Sequence, residues 1–273
     1  MNIRYAKPLF VTLFAAALPF AAHAHRSWLL PSTTVIDDKA GWVTVDAAVS
    51  EDLFYFDHLA QSLDGLEVSG PDGKPVAAEN LFKGRLRSSF DLNLAQPGSY
   101  RISLVREGVV GSYKVGGEMK RFRGSEQDFA KQLPAGASDV NLTRTHARQE
   151  TFVSVSEPSD LMPKQPTNVG IELVPLTHPN ALLAGETARF RLLIDGKPLA
   201  NHLLGIVPGG VRYRGVLNEI AVTSDAKGEF AVKWPAAGMY WLSASWPART
   251  PGAAPAATPR RASYSATLEV LND

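Results

Sequence analysis

Cysteine is absent from the 273 residues. That absence excludes disulfides, thiolate metal sites, a cysteine nucleophile and a lipidated N-terminal cysteine. A surplus of charge is missing too. The net charge of +1 gives no reason to expect nucleic acid or an anionic membrane surface as a partner. After the first 24 residues no apolar run approaches the ~20 residues of a transmembrane helix, so the mature chain is not expected to be an integral membrane protein. There is no Gly-rich phosphate loop, no Gly-x-Ser-x-Gly elbow and no His-Glu-x-x-His. No local motif marks a Ser-His-Asp triad, and the chain reads as a non-enzyme.

The N-terminus carries a clear signal. Arg4 and Lys7 make the opening basic, Pro8 to Ala22 is apolar, and Ala22-His23-Ala24 fits the small-x-small rule of a signal peptidase. Cleavage after Ala24 makes residues 1–24 a signal peptide and His25 the first residue of a periplasmic protein. A terminal amine titrates near ~8, far below a lysine, so a metal ion can displace its proton at neutral pH. The amine and imidazole of one His25 could then chelate an ion together.

The remaining chain reads as all-β. Val43, Val45, Ala47 and Val49 alternate with less apolar residues, as in a half-buried strand. Leu53 to His58, if extended, would place His58 on one face with Phe54 and Phe56. Asp72-Gly73 and Asp195-Gly196 lie between apolar runs and predict hairpins. Ser125-Glu126-Gln127-Asp128 resembles a capping box and predicts a short helix to about Leu133. Val140 to Thr145 and Glu150 to Val155 read as two strands, with His146 near a turn between them. Pro158, Pro163 and Pro166 mark a connector. The expected fold is two immunoglobulin-like Greek-key β-sandwiches, residues 25–157 and 168–273. The halves echo each other: Asp72-Gly73-Lys74-Pro75 returns as Asp195-Gly196-Lys197-Pro198, and Gly98-Ser99-Tyr100 returns as Gly238-Met239-Tyr240. A tyrosine at such a corner can bond back to the backbone.

Five histidines follow the cleavage point: His25, His58, His146, His178 and His202. None is closely spaced with another, so the fold must assemble any shared site. His25 brings its amine. His58 follows Asp57, which could be a ligand or a hydrogen-bond acceptor for a ligand's ring N–H. The alternative for His58 is packing beside Phe54 and Phe56. His178 lies in a Thr-His-Pro loop, where loops on rigid scaffolds often carry function. Its alternative is a solvated turn or an interdomain hydrogen bond. His146 and His202 read as structural. Nitrogen donors without thiolate suit Co(II), Ni(II), Cu(II) or Zn(II).

Several segments together carry a family resemblance. They are His25-Arg26-Ser27-Trp28-Leu29-Leu30-Pro31, Leu53 to His58, Ser112 to Glu118, Val174-Pro175-Leu176-Thr177-His178-Pro179 and Phe190 to Pro198. The chain resembles a large exported bacterial family whose domain is formally of unknown function. That family is often labelled a periplasmic component of a cobalt-type ABC transport system, or a nickel-uptake-associated domain. The resemblance implies metal binding for cobalt or nickel uptake, with copper handling as the nearest variant. It points to His25, His58 and His178, with Asp57 beside them, and to an ABC-type membrane transporter or an outer-membrane receptor as partner. A metal-free adaptor module is the competing expectation, and a carbohydrate-binding or hydrolytic β protein the third.

Overall fold

A computed structural model describes residues 25–158, 160, 162–163, 165–247 and 259–272. The expected cleavage site, and most of the Pro/Ala-rich stretch before Arg260, lie outside the described residues.

The first half forms β1 (Arg26–Pro31), β2 (Val35–Ile36), β3 (Gly41–Ser50), β4 (Leu59–Ala60), β5 (Leu66–Ser69), β6 (Ala78–Lys83), β7 (Ser88–Leu94), β8 (Gly98–Val115), β9 (Glu118–Gly124), helix α1 (Glu126–Gln132) and β10 (Ser138–Val155). The second forms β11 (Ile171–Pro175), β12 (Thr187–Ile194), β13 (Lys197–Pro198), β14 (Leu203–Pro208), helix α2 (Val211–Arg214), β15 (Ile220–Thr223), β16 (Glu229–Lys233), β17 (Gly238–Trp246) and β18 (Arg260–Val270). The fold is all-β, with two immunoglobulin-like sandwiches.

Local chemistry explains many of these boundaries. Ser125 caps α1 by accepting the Asp128 N–H, as the capping pattern predicts. Asp195 and Gly196, both at positive φ, form the two-residue turn between β12 and β13. The tyrosine corners form in both halves. The Tyr100 hydroxyl donates to the Gln96 carbonyl at 2.9 Å, and the Tyr240 hydroxyl to the Ala236 carbonyl at 2.8 Å.

Three sheets build the molecule. One runs β1-β3-β7-β6, with β4 beside β3; another runs β11-β12-β13, with β16 beside β12. Between them lies one nine-stranded sheet, β15-β14-β17-β18-β10-β8-β5, with β2 beside β10 and β9 beside β8. The two sandwiches therefore share this sheet, joined where β10 pairs in parallel with β18 from Arg144↔Arg260 to Thr151↔Thr267. Successive side chains on a strand face opposite ways. On β10, Val153 and Val155 enter the first core with Leu29, Val45, Phe90 and Ile102, whereas Phe152 enters the second with Phe190, Trp234, Tyr240 and Leu268. The two smaller sheets thus cover opposite faces of the shared one. A third cluster, Trp28, Ala48, Leu53, Val207 and Val211, with Phe54, Phe56 and Trp241 against it, fills the angle between β1 and the outer face of β14 and β17.

Two expectations are corrected. Val140 to Val155 is not two strands around a turn; it belongs to one 18-residue strand, β10, with His146 in its middle. Leu53 to His58 is not extended. It is a looped segment in which Phe54 takes φ +63°. Phe54 and Phe56 pack near Trp28, while His58 is exposed.

The seam is polar and buried. The Arg148 guanidinium lies 3.2 Å from Glu150 and donates to Thr167 at 3.0 Å. Ser103 and Tyr264 donate to the same Glu150 carboxylate at 2.9 and 2.8 Å. Burial, then the adjoining carboxylate, holds the Tyr264 phenol well above its ordinary range, so it stays a donor. Substituting Glu150→Leu removes the shared acceptor and strands the Arg148 charge. We expect a loss of about 3–5 kcal/mol in urea unfolding. Because one sheet serves both sandwiches, tryptophan fluorescence and far-UV dichroism should report a single transition in the native chain.

Candidate functional site

The site begins at the end of β3. β1 and β4 both pair with β3, Arg26 opposite Ser50 and Leu59 opposite Val49. His25 precedes β1 and His58 precedes β4, so the two residues flank the end of β3 from either side. Strands one removed lie roughly 10 Å apart. The two imidazoles close that gap and stack, with ring centroids 3.8 Å apart and planes 13° from parallel. Both residues are exposed. Glu51, where β3 ends, places its carboxylate 3.5 Å from His25 Nε2. Residue type and spacing gave no signal for Glu51; only the pairing of β1 with β3 brings it to His25.

The base of the site is fixed by hydrogen bonds. The buried Trp28 indole donates to Ser50 Oγ at 2.7 Å, and Ser50 Oγ donates to the Asp52 carbonyl at 2.6 Å. Asp57 accepts the backbone N–H groups of Glu51 and Asp52, both at 3.0 Å. Each carboxylate oxygen thereby accepts one backbone N–H of the loop and keeps a second lone pair. Arg26 donates to the Glu51 carbonyl at 3.1 Å. From the second sandwich, the Arg212 guanidinium lies 4.1 Å over the Tyr55 ring.

His178 is not brought to His25. Its Nδ1 accepts the Asn180 N–H at 3.1 Å, and its Nε2 lies 2.9 Å from Ser99 Oγ. With Nδ1 accepting, Nε2 of the neutral ring carries the proton and donates to Ser99. The chain continues through Ser154, 2.7 Å away, to Asn180 Oδ1 at 2.9 Å. This is an interdomain hydrogen-bond chain that engages both ring nitrogens. It sits beside Thr34, whose carbonyl accepts the Ser154 N–H. Thr34 lies beyond the far end of β1, a strand whose six residues span about 20 Å from the His25 end.

His146 and His202 are buried, 6 % and 5 % exposed. Burial is the main cause lowering both imidazoles below their ordinary value. Near His146, Arg148 on β10 and Arg260 on β18 push the same way, while Glu107 on β8 and Asp195 before β13 oppose them. Trp28 and Trp234 are core residues and form no exposed aromatic platform.

Among the described residues no group of three or more His, Cys, Asp or Glu side chains is preassembled to hold an ion. Imidazole lone pairs lie in the ring plane, so two parallel stacked rings cannot aim at one point. Both side chains are exposed, and rotation about their own χ angles is what convergence requires.

The class these features define is an all-β protein of two sandwiches on a shared sheet, with an exposed imidazole pair at one end of the first. The chain belongs to the family described as a domain of unknown function, DUF4198, whose model matches residues 22–248. No curated protein matches the chain. Among solved structures, the D0-D1 domain of intimin is 12% identical, with a TM-score of 0.20, covering 88% of this chain and 96% of that one. The human OSCAR ligand-binding domain is 17% identical at a TM-score of 0.22, covering 90% and 98%. Trypsin-activated alpha-2-macroglobulin from Escherichia coli is 13% identical at a TM-score of 0.24, covering 89% of this chain but 16% of that one.

The buried imidazoles predict a pH response. Their folded values lie below the unfolded 6.5, so the unfolded chain binds protons first as pH falls. Their contribution is complete above pH 6.5 and is lost as pH drops through the folded values. The urea midpoint should fall between pH 7.5 and 5.5, and His146→Gln should flatten that slope. An identical slope in the variant would remove His146 from the explanation.

Proposed function

We propose that this is an exported, periplasmic transition-metal-binding protein whose ion is held by the α-amino group and imidazole of His25 and by the imidazole of His58. The observation that carries the reading is the 3.8 Å approach of His58 to His25, two residues 33 positions apart that the pairing of β1 and β4 with β3 brings together. The donors are nitrogens with no thiolate in the chain, a set suited to Co(II), Ni(II) or Cu(II). Asp57 serves the site by fixing the loop. His178 takes no part in it. Cobalt or nickel uptake, with an ABC-type transporter or an outer-membrane receptor as partner, is the role this reading favours.

The amine donor depends on chain position, and that makes it testable. A chain starting at His25 is compared by titration calorimetry with one carrying a single Gly before His25, and with His58→Ala. The inserted Gly keeps every side chain but moves the amine away from its imidazole. We expect each change to weaken Ni(II) or Cu(II) binding by at least about tenfold, since even groups behind the ligands commonly cost that much. Affinity should also fall with pH, as protons compete for the nitrogens. Unchanged affinity after the Gly insertion rejects the amine chelate. Failure of all three chains to bind favours the metal-free adaptor module.

A further inference from the structure

Glu51 is held with more care than an exposed carboxylate at a strand end needs. Its N–H is bound by Asp57 Oδ1 at 3.0 Å and its carbonyl by Arg26 at 3.1 Å. The next residue is tied at both ends as well, its N–H to Asp57 Oδ2 at 3.0 Å and its carbonyl to Ser50 Oγ at 2.6 Å. Four hydrogen bonds thus fix the backbone on which the Glu51 side chain is mounted. That side chain is 56% exposed, and its Oε1 lies 3.5 Å from His25 Nε2. It is the carboxylate that meets His25, whereas each Asp57 oxygen accepts a backbone N–H.

We propose that Glu51 supplies an oxygen donor to the His25–His58 site, and that this donor makes the site selective for a divalent ion over Cu(I). The inference rests on the amine-and-imidazole reading above and adds a ligand to it. Three nitrogens and one carboxylate oxygen suit tetragonal Cu(II) or Ni(II), whereas Cu(I) favours thiolate and thioether ligands. The chain has no cysteine, and neither Arg26-Ser27 nor the loop from Glu51 to His58 contains methionine. The carboxylate also offsets charge that two neutral imidazoles and an amine would leave on the ion. In the present arrangement the Glu51 carboxylate lies 3.5 Å from His25 Nε2, so the same residue becomes a ligand when the rings turn.

The test compares the chain starting at His25 with its Glu51→Gln variant, which keeps size and hydrogen bonding but weakens the donor. Cu(II) affinity is measured by calorimetry and Cu(I) affinity by anaerobic competition with a chromogenic chelator. Cu(II) electron paramagnetic resonance reads the donor set directly. The expected result is a Cu(II) affinity lowered by about tenfold or more, an altered parallel hyperfine coupling, and an unchanged Cu(I) affinity. Glu51→Ala should behave alike, which guards against an effect peculiar to the amide. Unchanged Cu(II) affinity and spectrum in Glu51→Gln would overturn the inference while leaving the nitrogen chelate standing. An equal loss of Cu(II) and Cu(I) binding would also overturn it, by making Glu51 a positioning residue for His25. A native chain that binds no Cu(II) overturns the inference, and one that binds no Ni(II) or Co(II) either overturns the nitrogen chelate as well.

Discussion

The parallel pairing of β10 with β18 is the constraint on which the rest of this structure depends. It fuses two sandwiches into one sheet and forces their remaining sheets onto opposite faces. An antiparallel arrangement needs only a hairpin; this one joins strands more than a hundred residues apart. The join is also polar where most cores are apolar. Arg148, Glu150 and Tyr264 are buried within it; Glu150 binds Arg148 on its own strand and accepts from Ser103 on β8 and Tyr264 on β18, while Arg148 also donates to Thr167. Burying a charge without such partners would cost several kcal/mol. The seam therefore tolerates one register and penalises others, since a shift of one residue turns every side chain to the wrong face.

The candidate site inherits its rigidity from that seam. With the second sandwich fixed against β10, β17 and β14 present an outer face to β1, and Trp28, Phe54, Phe56, Val211 and Trp241 fill the angle. The Trp241 indole donates to the Ser27 carbonyl at 3.0 Å, one residue from Trp28. Gly209 makes room for the loop: a Cβ there would lie 3.1 Å from the Phe54 ring. Arg214 holds the turn that carries Gly209 by donating to the carbonyls of Pro208 and Gly209. The imidazole pair itself is solvent-exposed, but the chain beneath it is anchored in both sandwiches. Exposed side chains on a fixed backbone can turn to meet a ligand without disturbing the core.

How much of this was legible in sequence differs from element to element. The alternation of Val43, Val45 and Ala47, the cap at Ser125 and the tyrosine corners are local patterns, and local patterns carry through to the structure. The shared sheet is invisible to them, because parallel pairing between β10 and β18 leaves no local trace. The run from His146 to Gln149 reads as a break between strands for the same reason: its partners are far away in the chain. Leu53 to Phe56 invites an extended reading because Leu53, Phe54 and Phe56 do pack in or against a core cluster. They reach the core from a loop, with Phe54 at positive φ, and only tertiary packing reveals that. Motif position singled out both His58 and His178, yet their surroundings could not be told apart in sequence.

That last pair shows what decides whether a histidine can serve as a ligand. His178 has spent both nitrogens, one on the Asn180 N–H and one on Ser99, in a chain of hydroxyls that ties the sandwiches together. Recruiting it would leave buried polar groups without partners, each at a cost of about 1–3 kcal/mol. His58 meets its neighbour through the ring face and not through its nitrogens. Turning it toward an ion breaks a stack between exposed rings and exposes no buried donor. The energetic asymmetry favours His58 even though the two loops look equally functional as sequence. The same reasoning separates Asp57 from Glu51. Each Asp57 oxygen already accepts a backbone N–H of the loop that carries His58, so only its second lone pairs are open to an ion. Glu51 has only to move its carboxylate from beside His25 Nε2 to the ion that imidazole would hold.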